Sequence, residues 1–261
     1  MRRHRAQKMR RRRDRVHRPG AVVIDQQRGD EVGRALEELA AGRQLEVIDV
    51  GGGSGTRAVP LAVAGCRVTV VDPSIDALAT LRRRASEAGV ADRVRGVQAD
   101  TDALGGAVPP NSADLVLCHH VLESVDDPQA ATAAMAAALK PGGTLSLLVT
   151  GRFAAVLALS IAGRFTEAAA VHANPDGRFG DGDPLRRRYD IDSVTALLSG
   201  AGLTINEVRG VRVVSALVSG AVMQAQLQGS AELAALERQL AAAPPLRDIA
   251  ADLHILAVPT G

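Results

Sequence analysis

The chain has 261 residues, of which 46% are hydrophobic, and its formal net charge of +2 comes from 31 basic and 29 acidic residues. Residues 1–18 contain nine Arg, one Lys and one Asp, so the remainder has 21 basic and 28 acidic residues and a net charge of −7. These values exclude disorder over the whole length, and they favour one large acidic domain, residues 21–261, after a basic leader, residues 1–20, that we expect to be disordered.

The two cysteines, Cys66 and Cys118, are too few for a disulfide framework or a Cys-based structural zinc site. We expect both to be reduced core thiols of a cytoplasmic protein that binds no metal. The longest apolar zone, residues 144–163, is interrupted by Gly151 and Arg152. It therefore predicts a strand followed by a helix, and not a membrane span or a membrane partner.

From residue 30 onward, short β-branched runs alternate with longer Ala- and Leu-rich runs of helical period, which is typical of βα units around a parallel sheet. Helices are predicted at residues 56–64, 74–88, 128–139 and 192–201. Seven strands are predicted, at residues 45–50, 67–72, 94–100, 114–119, 144–150, 203–214 and 253–259. The predicted fold class is α/β, a doubly wound Rossmann-like seven-stranded sheet whose ligands bind beyond the carboxyl ends of the strands.

Residues 163–190 break the alternation with Asn-Pro, Asp-Gly and Asp-Pro turn signals. All the aromatic residues of the chain lie in or beside this excursion: Phe153, Phe165, Phe179 and Tyr189. Long excursions of this kind are often functional. We therefore predict that residues 153–190 form a lid, inserted after the fifth strand, over the ligand site.

The strongest motif is VIDVGGGSGT at residues 47–56, a glycine-rich turn between a predicted strand and a predicted helix. Gly53, Gly55 and Ala58 satisfy the dinucleotide pattern GxGxxA, so a nicotinamide enzyme is one alternative. Asp49 argues against it, because a carboxylate beside the turn would repel a pyrophosphate. S-adenosylmethionine carries a cationic amine and a sulfonium without any phosphate, and the motif favours that cofactor at Asp49, Gly51, Gly52, Gly53 and Gly55.

Acidic residues also follow the next two strands. Asp72 ends the second strand, at the position where an acid of this fold accepts hydrogen bonds from ribose hydroxyls. Asp100 and Asp102 follow the third strand, where a carboxylate can accept a hydrogen bond from the adenine amino group. Three successive strands that end in Asp predict a shared cofactor crevice.

With these motifs the sequence resembles the class I S-adenosylmethionine-dependent methyltransferases. The resemblance rests on DVGGGSG, VVDPS, QADTDAL, ADLVLCHHVLESVDDP and LKPGGTLSL, in that order. It is similar in particular to the bacterial tRNA 5-carboxymethoxyuridine carboxyl methyltransferases, whose pattern HxVLExVxDP is matched at residues 119–128. The resemblance implies cofactor contacts at Gly51, Gly52, Asp72, Thr101, Asp102 and His119.

Methyl transfer from a sulfonium is a direct displacement for which positioning supplies most of the rate. A carboxylate acceptor is already ionised and would need a cation, for which Arg212 in the GVRV motif is the first candidate and Arg188, beside Arg186 and Arg187, the second. A hydroxyl or amine acceptor would use a base, for which His119 and His120 are the candidates, with His120 the predicted catalytic residue. Tyr189 is the predicted aromatic contact to the substrate.

The acceptor stays open at this point, as does the oligomeric state. A modified tRNA wobble uridine agrees with the resemblance and with a basic, aromatic lid, whereas a small-molecule metabolite agrees better with the acidic domain. A non-enzymatic, cofactor-binding regulator is the third alternative.

Overall fold

A computed structural model describes residues 21–218 and 230–260, so the predicted leader lies outside the described residues. The strands are β1 (Glu46–Val50), β2 (Arg67–Val71), β3 (Val94–Val97), β4 (Ala113–His119), β5 (Leu139–Thr150), β6 (Leu203–Val211) and β7 (Asp252–Pro259). The helices are α1 (Ala21–Ala40), α2 (Ala58–Val63), α3 (Ile75–Glu87), α4 (Leu104–Ala107), α5 (Pro128–Ala138), α6 (Arg152–Ile161), α7 (Phe165–Ala173), α8 (Ile191–Gly200) and α9 (Ser230–Leu240).

All seven strands form one sheet in the order β3-β2-β1-β4-β5-β7-β6, which confirms the predicted fold class. The sheet is not wholly parallel, however, because β7 runs antiparallel to both β5 and β6. The reason lies in the connection: Val211 at the end of β6 pairs with Asp252 at the start of β7. The chain thus leaves β6 and enters β7 at the same edge, whereas a parallel strand would require a crossover to the opposite edge.

Two predicted strands are too long. β3 stops at Val97, because it is the edge strand and the following Asp100 caps a 3₁₀ turn, Thr101–Ala103. β6 stops at Val211, because Arg212 adopts the left-handed backbone with φ 60° and cannot continue a strand. Four helices were not predicted: α1, α4, α7 and α9. Of these, α1 precedes the clear βα alternation, and α9 lies between β6 and β7.

The sheet buries both faces, so its strands read as continuous apolar runs. Leu115 and Leu117 of β4 face the layer of α1, α2 and α3, while Val116 and Cys118 face the layer of α5 and α8. Both predicted core thiols are buried, and neither forms a disulfide. The same alternation places Asp49, at the end of β1 beside Leu117, on the face covered by α1 to α3.

The segment predicted as a lid contains α6, α7 and an irregular stretch that leads to α8. Leu159, Ala168 and Val171 form a small separate cluster between α6 and α7. The Arg164 guanidinium lies 5.4 Å from the centre of the Phe179 ring. Across residues 21–218 and 230–260, no helix has both the length and the apolar character needed to cross a membrane.

Candidate functional site

The turn between β1 and α2 passes so close to other side chains that Gly51, Gly52 and Gly55 have no room for a Cβ. A Cβ on Gly52 would lie 2.3 Å from Oδ2 of Asp49, and a Cβ on Gly51 would lie 2.4 Å from Cγ2 of Val121. Gly51 also has φ +68°, a conformation that side-chain-bearing residues rarely adopt. The structure thus brings the four predicted glycines together in one tight turn: Gly51, Gly52, Gly53 and Gly55.

Asp49 is buried directly under this turn, with 3% of its surface exposed. Its Oδ2 has no hydrogen-bond partner among the described residues. Burial raises the pKa of the Asp49 carboxyl to about 7, opposed by Arg57 and reinforced by Asp72. A buried carboxylate with an unpaired oxygen, next to bare backbone, fits the cationic amine of S-adenosylmethionine and disfavours a phosphate.

The raised pKa of Asp49 has a testable consequence for stability. The folded protein holds this proton up to about pH 7, whereas the unfolded chain releases it near the ordinary pKa of an aspartic acid, 3.8. Ionisation of Asp49 therefore lowers the free energy of unfolding as pH rises from about 4 to 7, by at most about 4 kcal/mol. We expect Asp49→Asn to remove this loss, so that the ligand-free variant is more stable than the wild type at pH 8 but not at pH 4.

The measurement is urea denaturation at both pH values, with calorimetry of S-adenosylhomocysteine binding in parallel. The Asn variant should bind at least about tenfold more weakly, because the charge that meets the ligand amine is gone. Asp92→Asn, at an exposed acid, is the matched control. Equal stability of Asp49→Asn and the wild type at pH 8 would contradict the conclusion that the ionised Asp49 carboxylate is destabilised by burial.

Asp72 ties the glycine turn to the start of α3. Its Oδ2 accepts a hydrogen bond from the Gly53 backbone N–H at 2.9 Å, and its Oδ1 accepts one from the Ser74 N–H at 2.9 Å. Each carboxylate oxygen retains a second acceptor position. Asp72 can therefore hold the turn in place and still accept a ribose hydroxyl, as the sequence predicts.

The third strand end contributes a short polar turn. Asp100 accepts a hydrogen bond from the Thr101 N–H at 2.7 Å, and Thr101 is 7% exposed. Asp102 lies in the same 3₁₀ turn, and its side chain is outside the described part. Because β3, β2 and β1 are neighbours in the sheet, the ends that carry Asp100, Asp72 and Asp49 lie side by side.

His119 ends β4, next to β1 at the point where the strand order reverses. Its Nε2 lies 3.0 Å from Oγ of Ser146, and its Nδ1 is buried without a partner among the described residues. Burial, reinforced by His254, holds the pKa of His119 well below its usual range. His119 is therefore a neutral imidazole beside the glycine turn.

A second cluster lies at the same edge of the sheet, around His120. His120 has φ 57°, a strained conformation for a non-glycine residue, and its side chain is 39% exposed. Its Nδ1 lies 3.2 Å from Oε1 of Glu123, which also accepts the Thr150 N–H at 2.7 Å. Its Nε2 lies 3.9 Å from Oδ1 of Asp252. His120 is thus oriented by one buried carboxylate and faces a second.

Arg212 reaches this cluster, but in a different role from the predicted one. Its Nε and Nη2 donate to Oδ2 of Asp252 at 3.2 and 2.7 Å. Asp252 is 3% exposed, so the pair is a buried salt bridge. A guanidinium that already neutralises a buried carboxylate is a poor receptor for the carboxylate of a substrate.

The contacts of Tyr189 and Arg188 argue against their predicted substrate roles. Tyr189 is 5% exposed and donates its hydroxyl to the Leu122 carbonyl at 3.0 Å, so its ring offers no surface on which a base could stack. Arg188 is 8% exposed and forms a bidentate pair with Asp183 at 2.7 and 3.0 Å. Tyr189 connects the lid segment to the main core, and Arg188 stabilises the lid segment from within.

Sequence reasoning missed Glu123, Asp252, Ser146 and His254 as members of the site. Glu123 follows His120 by three residues, and this short spacing was the signal in the sequence that the two side chains could meet. The other three residues come from β5 and β7, and nothing in their local sequence indicates that they meet β4. The described residues contain no group of three or more His, Cys, Asp or Glu that could hold a metal ion.

Comparisons with known proteins agree with this geometry. The profile of a methyltransferase domain matches residues 48–147, from β1 to β5. A ubiquinone biosynthesis O-methyltransferase of Xanthomonas euvesicatoria pv. vesicatoria is 35% identical over 173 residues, which are 66% of this chain and 67% of the relative. The chain belongs to the class I S-adenosylmethionine-dependent methyltransferases. The family predicted from the motifs is confirmed, and S-adenosylmethionine is its cofactor.

Two further matches bear on the substrate and on the fold. The tRNA 5-carboxymethoxyuridine methyltransferase of Escherichia coli K12 is 32% identical over 133 residues, 51% of this methyltransferase and 50% of the relative. A Burkholderia thailandensis 1,6-didemethyltoxoflavin-N1-methyltransferase, solved with S-adenosylhomocysteine, matches with a TM-score of 0.56 at 18% identity over 92% of this chain and 81% of that chain. The latter likeness shows the fold alone, and the relatives differ in their acceptors.

Proposed function

We propose that this methyltransferase methylates a hydroxyl oxygen of a small molecule, with His120 as the general base. The observation that carries the proposal is the His120–Glu123 pair at the carboxyl edge of the sheet, at 3.2 Å. The first of the relatives described above is named as an O-methyltransferase, which supports the same acceptor atom. Family membership favours this enzyme over the non-enzymatic regulator.

The residues predicted for the cofactor fit it. Asp49 would contact the amine of the cofactor, and Asp72 would contact its ribose. The glycine turn would contact the rest of the amino-acid portion. A side chain at Gly52 would collide with Asp49. Asp100, Thr101 and His119 would border the adenosine from the neighbouring strand ends. When bound there, S-adenosylmethionine supplies an electrophilic methyl group on a sulfonium.

A hydroxyl acceptor must lose its proton as the oxygen attacks, and the His120 cluster can take it. The Glu123 carboxylate accepts a hydrogen bond from Nδ1–H of His120 and so leaves the basic lone pair on Nε2. The hydroxyl proton would pass to Nε2 of His120 while the oxygen forms its bond to the methyl carbon and the bond from that carbon to the sulfonium sulfur breaks. The Asp252 carboxylate, 3.9 Å from Nε2, stabilises the imidazolium that results.

A carboxylate acceptor, by contrast, needs no base and would need a cation. Each arginine predicted for that purpose donates to an oxygen of the protein. Arg212 donates to Asp252, Arg188 to Asp183, and Arg186 to Asp126. Arg187 donates to the Val125 and Asp126 carbonyls. These pairs, together with the buried ring of Tyr189, support the small-molecule hydroxyl over the modified-tRNA carboxylate as the acceptor.

The test is to incubate the purified protein with methyl-labelled S-adenosylmethionine and either a metabolite extract or bulk tRNA. We expect label in small molecules, stable to mild alkali and released by ether cleavage with hydriodic acid. Alkali-labile label would indicate a carboxyl ester, and label in the RNA fraction would support the tRNA substrate. Label in small molecules that resists both treatments would indicate an amine acceptor. Any of these three results would contradict the proposal.

A further inference from the structure

A chain of three polar side chains crosses the sheet on the face covered by α1 to α3. Oγ of Ser146, in β5, lies 3.0 Å from Nε2 of His119 in β4 and 2.8 Å from Nε2 of His254 in β7. The two imidazole rings are 6.0 Å apart and perpendicular, with an interplanar angle of 89°. The strand register explains the arrangement, because Leu148 of β5 pairs with both His119 and His254.

The Ser146–His254 part of this hydrogen-bond chain is buried. Ser146 is 0% exposed and His254 is 3% exposed. Burial lowers the pKa of His254 to about 4 and that of His119 well below its usual range, so both rings are neutral at pH 7. A neutral imidazole has one N–H donor and one acceptor nitrogen.

The single hydroxyl hydrogen of Ser146 then restricts the tautomers that the two histidines can adopt. A serine hydroxyl has a single hydrogen, so it can donate to only one of the two Nε2 atoms and must accept a hydrogen bond from the other. Consequently one ring carries its proton on Nε2 and the other carries it on Nδ1. The two histidines therefore have opposite tautomers whichever way the chain is polarised.

The environment of the Nδ1 atoms decides the direction. Nδ1 of His119 has no partner among the described residues, and a buried N–H without an acceptor is rarer in proteins than an unpaired acceptor. His254, in contrast, lines a cavity of about 210 Å³ between α1, β6 and α9, which is large enough for water. His119 Nε2–H thus donates to Ser146, whose hydroxyl donates to Nε2 of His254.

We propose that Ser146 and His254 are positioning residues that lock His119 as the Nε2–H tautomer and present its Nδ1 as a hydrogen-bond acceptor to the cofactor. S-adenosylmethionine offers donors for such an acceptor in its ribose hydroxyls and amino groups. The inference rests on the proposed role of His119 as a cofactor contact. It assigns the orientation of that contact to two residues that do not themselves reach the glycine turn.

The first test reads the tautomers directly by ¹⁵N–¹H correlation of the imidazole nitrogens in the ligand-free protein at pH 7. His119→Asn and His254→Leu variants assign the two spin systems. We expect a protonated Nε2 in His119 and a protonated Nδ1 in His254. The same tautomer in both rings, or the reverse assignment, would overturn the proposal.

The second test measures coupling by calorimetry with S-adenosylhomocysteine. We expect Ser146→Ala to weaken binding by about 5- to 10-fold, the worth of one oriented hydrogen bond. In a His119→Ala background the same substitution should change the dissociation constant less than about twofold, because Ser146 acts only through His119. His254→Leu should behave in the same way and serves as the second variant if Ser146→Ala does not fold.

Thr132→Ala is the matched control, since Thr132 is another fully buried hydroxyl, which bonds within α5 to the Pro128 carbonyl. Its binding constant should equal that of the wild type. Additive losses in the double variant would show that Ser146 is merely structural and would refute this inference. An unchanged affinity in His119→Ala alone would instead refute the cofactor contact of His119, while the tautomer result would stand separately.

Discussion

Replacing Gly52 with alanine should weaken S-adenosylmethionine binding by about 100-fold or more. The new Cβ would lie 2.3 Å from Oδ2 and 2.4 Å from Cγ of Asp49, distances that no packed structure tolerates. Either the turn or the carboxylate must move by about 1 Å, and both are surfaces that the cofactor contacts in the proposed site. A loss of about 3 kcal/mol in binding free energy corresponds to that factor.

Calorimetry with S-adenosylhomocysteine measures this effect, and circular dichroism checks that the variant is folded. Gly105→Ala is the matched control, because Gly105 lies in the short helix α4 where a Cβ meets nothing within 4 Å. Its affinity should be that of the wild type. If Gly52→Ala also bound normally while folded, the glycine turn would not be the cofactor cradle.

Replacing His120 should abolish most turnover without affecting cofactor binding. Asparagine is the suitable substitute, because it tolerates the left-handed backbone at φ 57° better than alanine. Loss of a general base typically lowers the rate by about 10²- to 10⁴-fold. We expect kcat to fall within that range while the dissociation constant of S-adenosylhomocysteine stays within about twofold of the wild-type value.

Two further measurements separate catalysis from structure. Added imidazole should restore part of the activity of His120→Asn, since it can replace the missing base but not a packing defect. Glu123→Gln should lower kcat by a smaller factor than His120→Asn does, because the amide still accepts the Thr150 N–H and His120 is still present as the base. Some activity should be lost, because the amide cannot stabilise an imidazolium. His172→Asn, at an exposed histidine of α7, is the matched control. A fully active His120→Asn would exclude the base and would favour an acceptor that is already ionised.

The buried pair between Arg212 and Asp252 also changes the meaning of the GVRV motif. In the sequence, Arg212 was a cation available to an acidic substrate. In the structure, it holds Asp252 in place beside His120, with φ 60° at Arg212 itself. Two strained residues, His120 and Arg212, thus lie around one carboxylate, and such strain concentrates at functional sites.

The sequence by itself determined the strands, the glycine turn and the acids that follow β1, β2 and β3. These features are local: a β-branched run forms a strand, glycines permit a tight turn, and an acid after a strand lies at its carboxyl end. Asp49 illustrates this, because its position two residues before the glycines was enough to argue for a cationic ligand. The structure then added its burial and its unpaired oxygen.

Only the tertiary structure decided which polar groups are available for chemistry. Ser146 meets His254 across 108 residues of sequence, and Arg212 meets Asp252 across 40, through strand registers that no local pattern specifies. The sequence predicts Tyr189 as an aromatic substrate contact in the lid, but in the structure its side chain is buried against Leu122. The physical reason is that charge and aromaticity are properties of a residue, whereas exposure and pairing are set by the side chains that distant strands and helices bring against it.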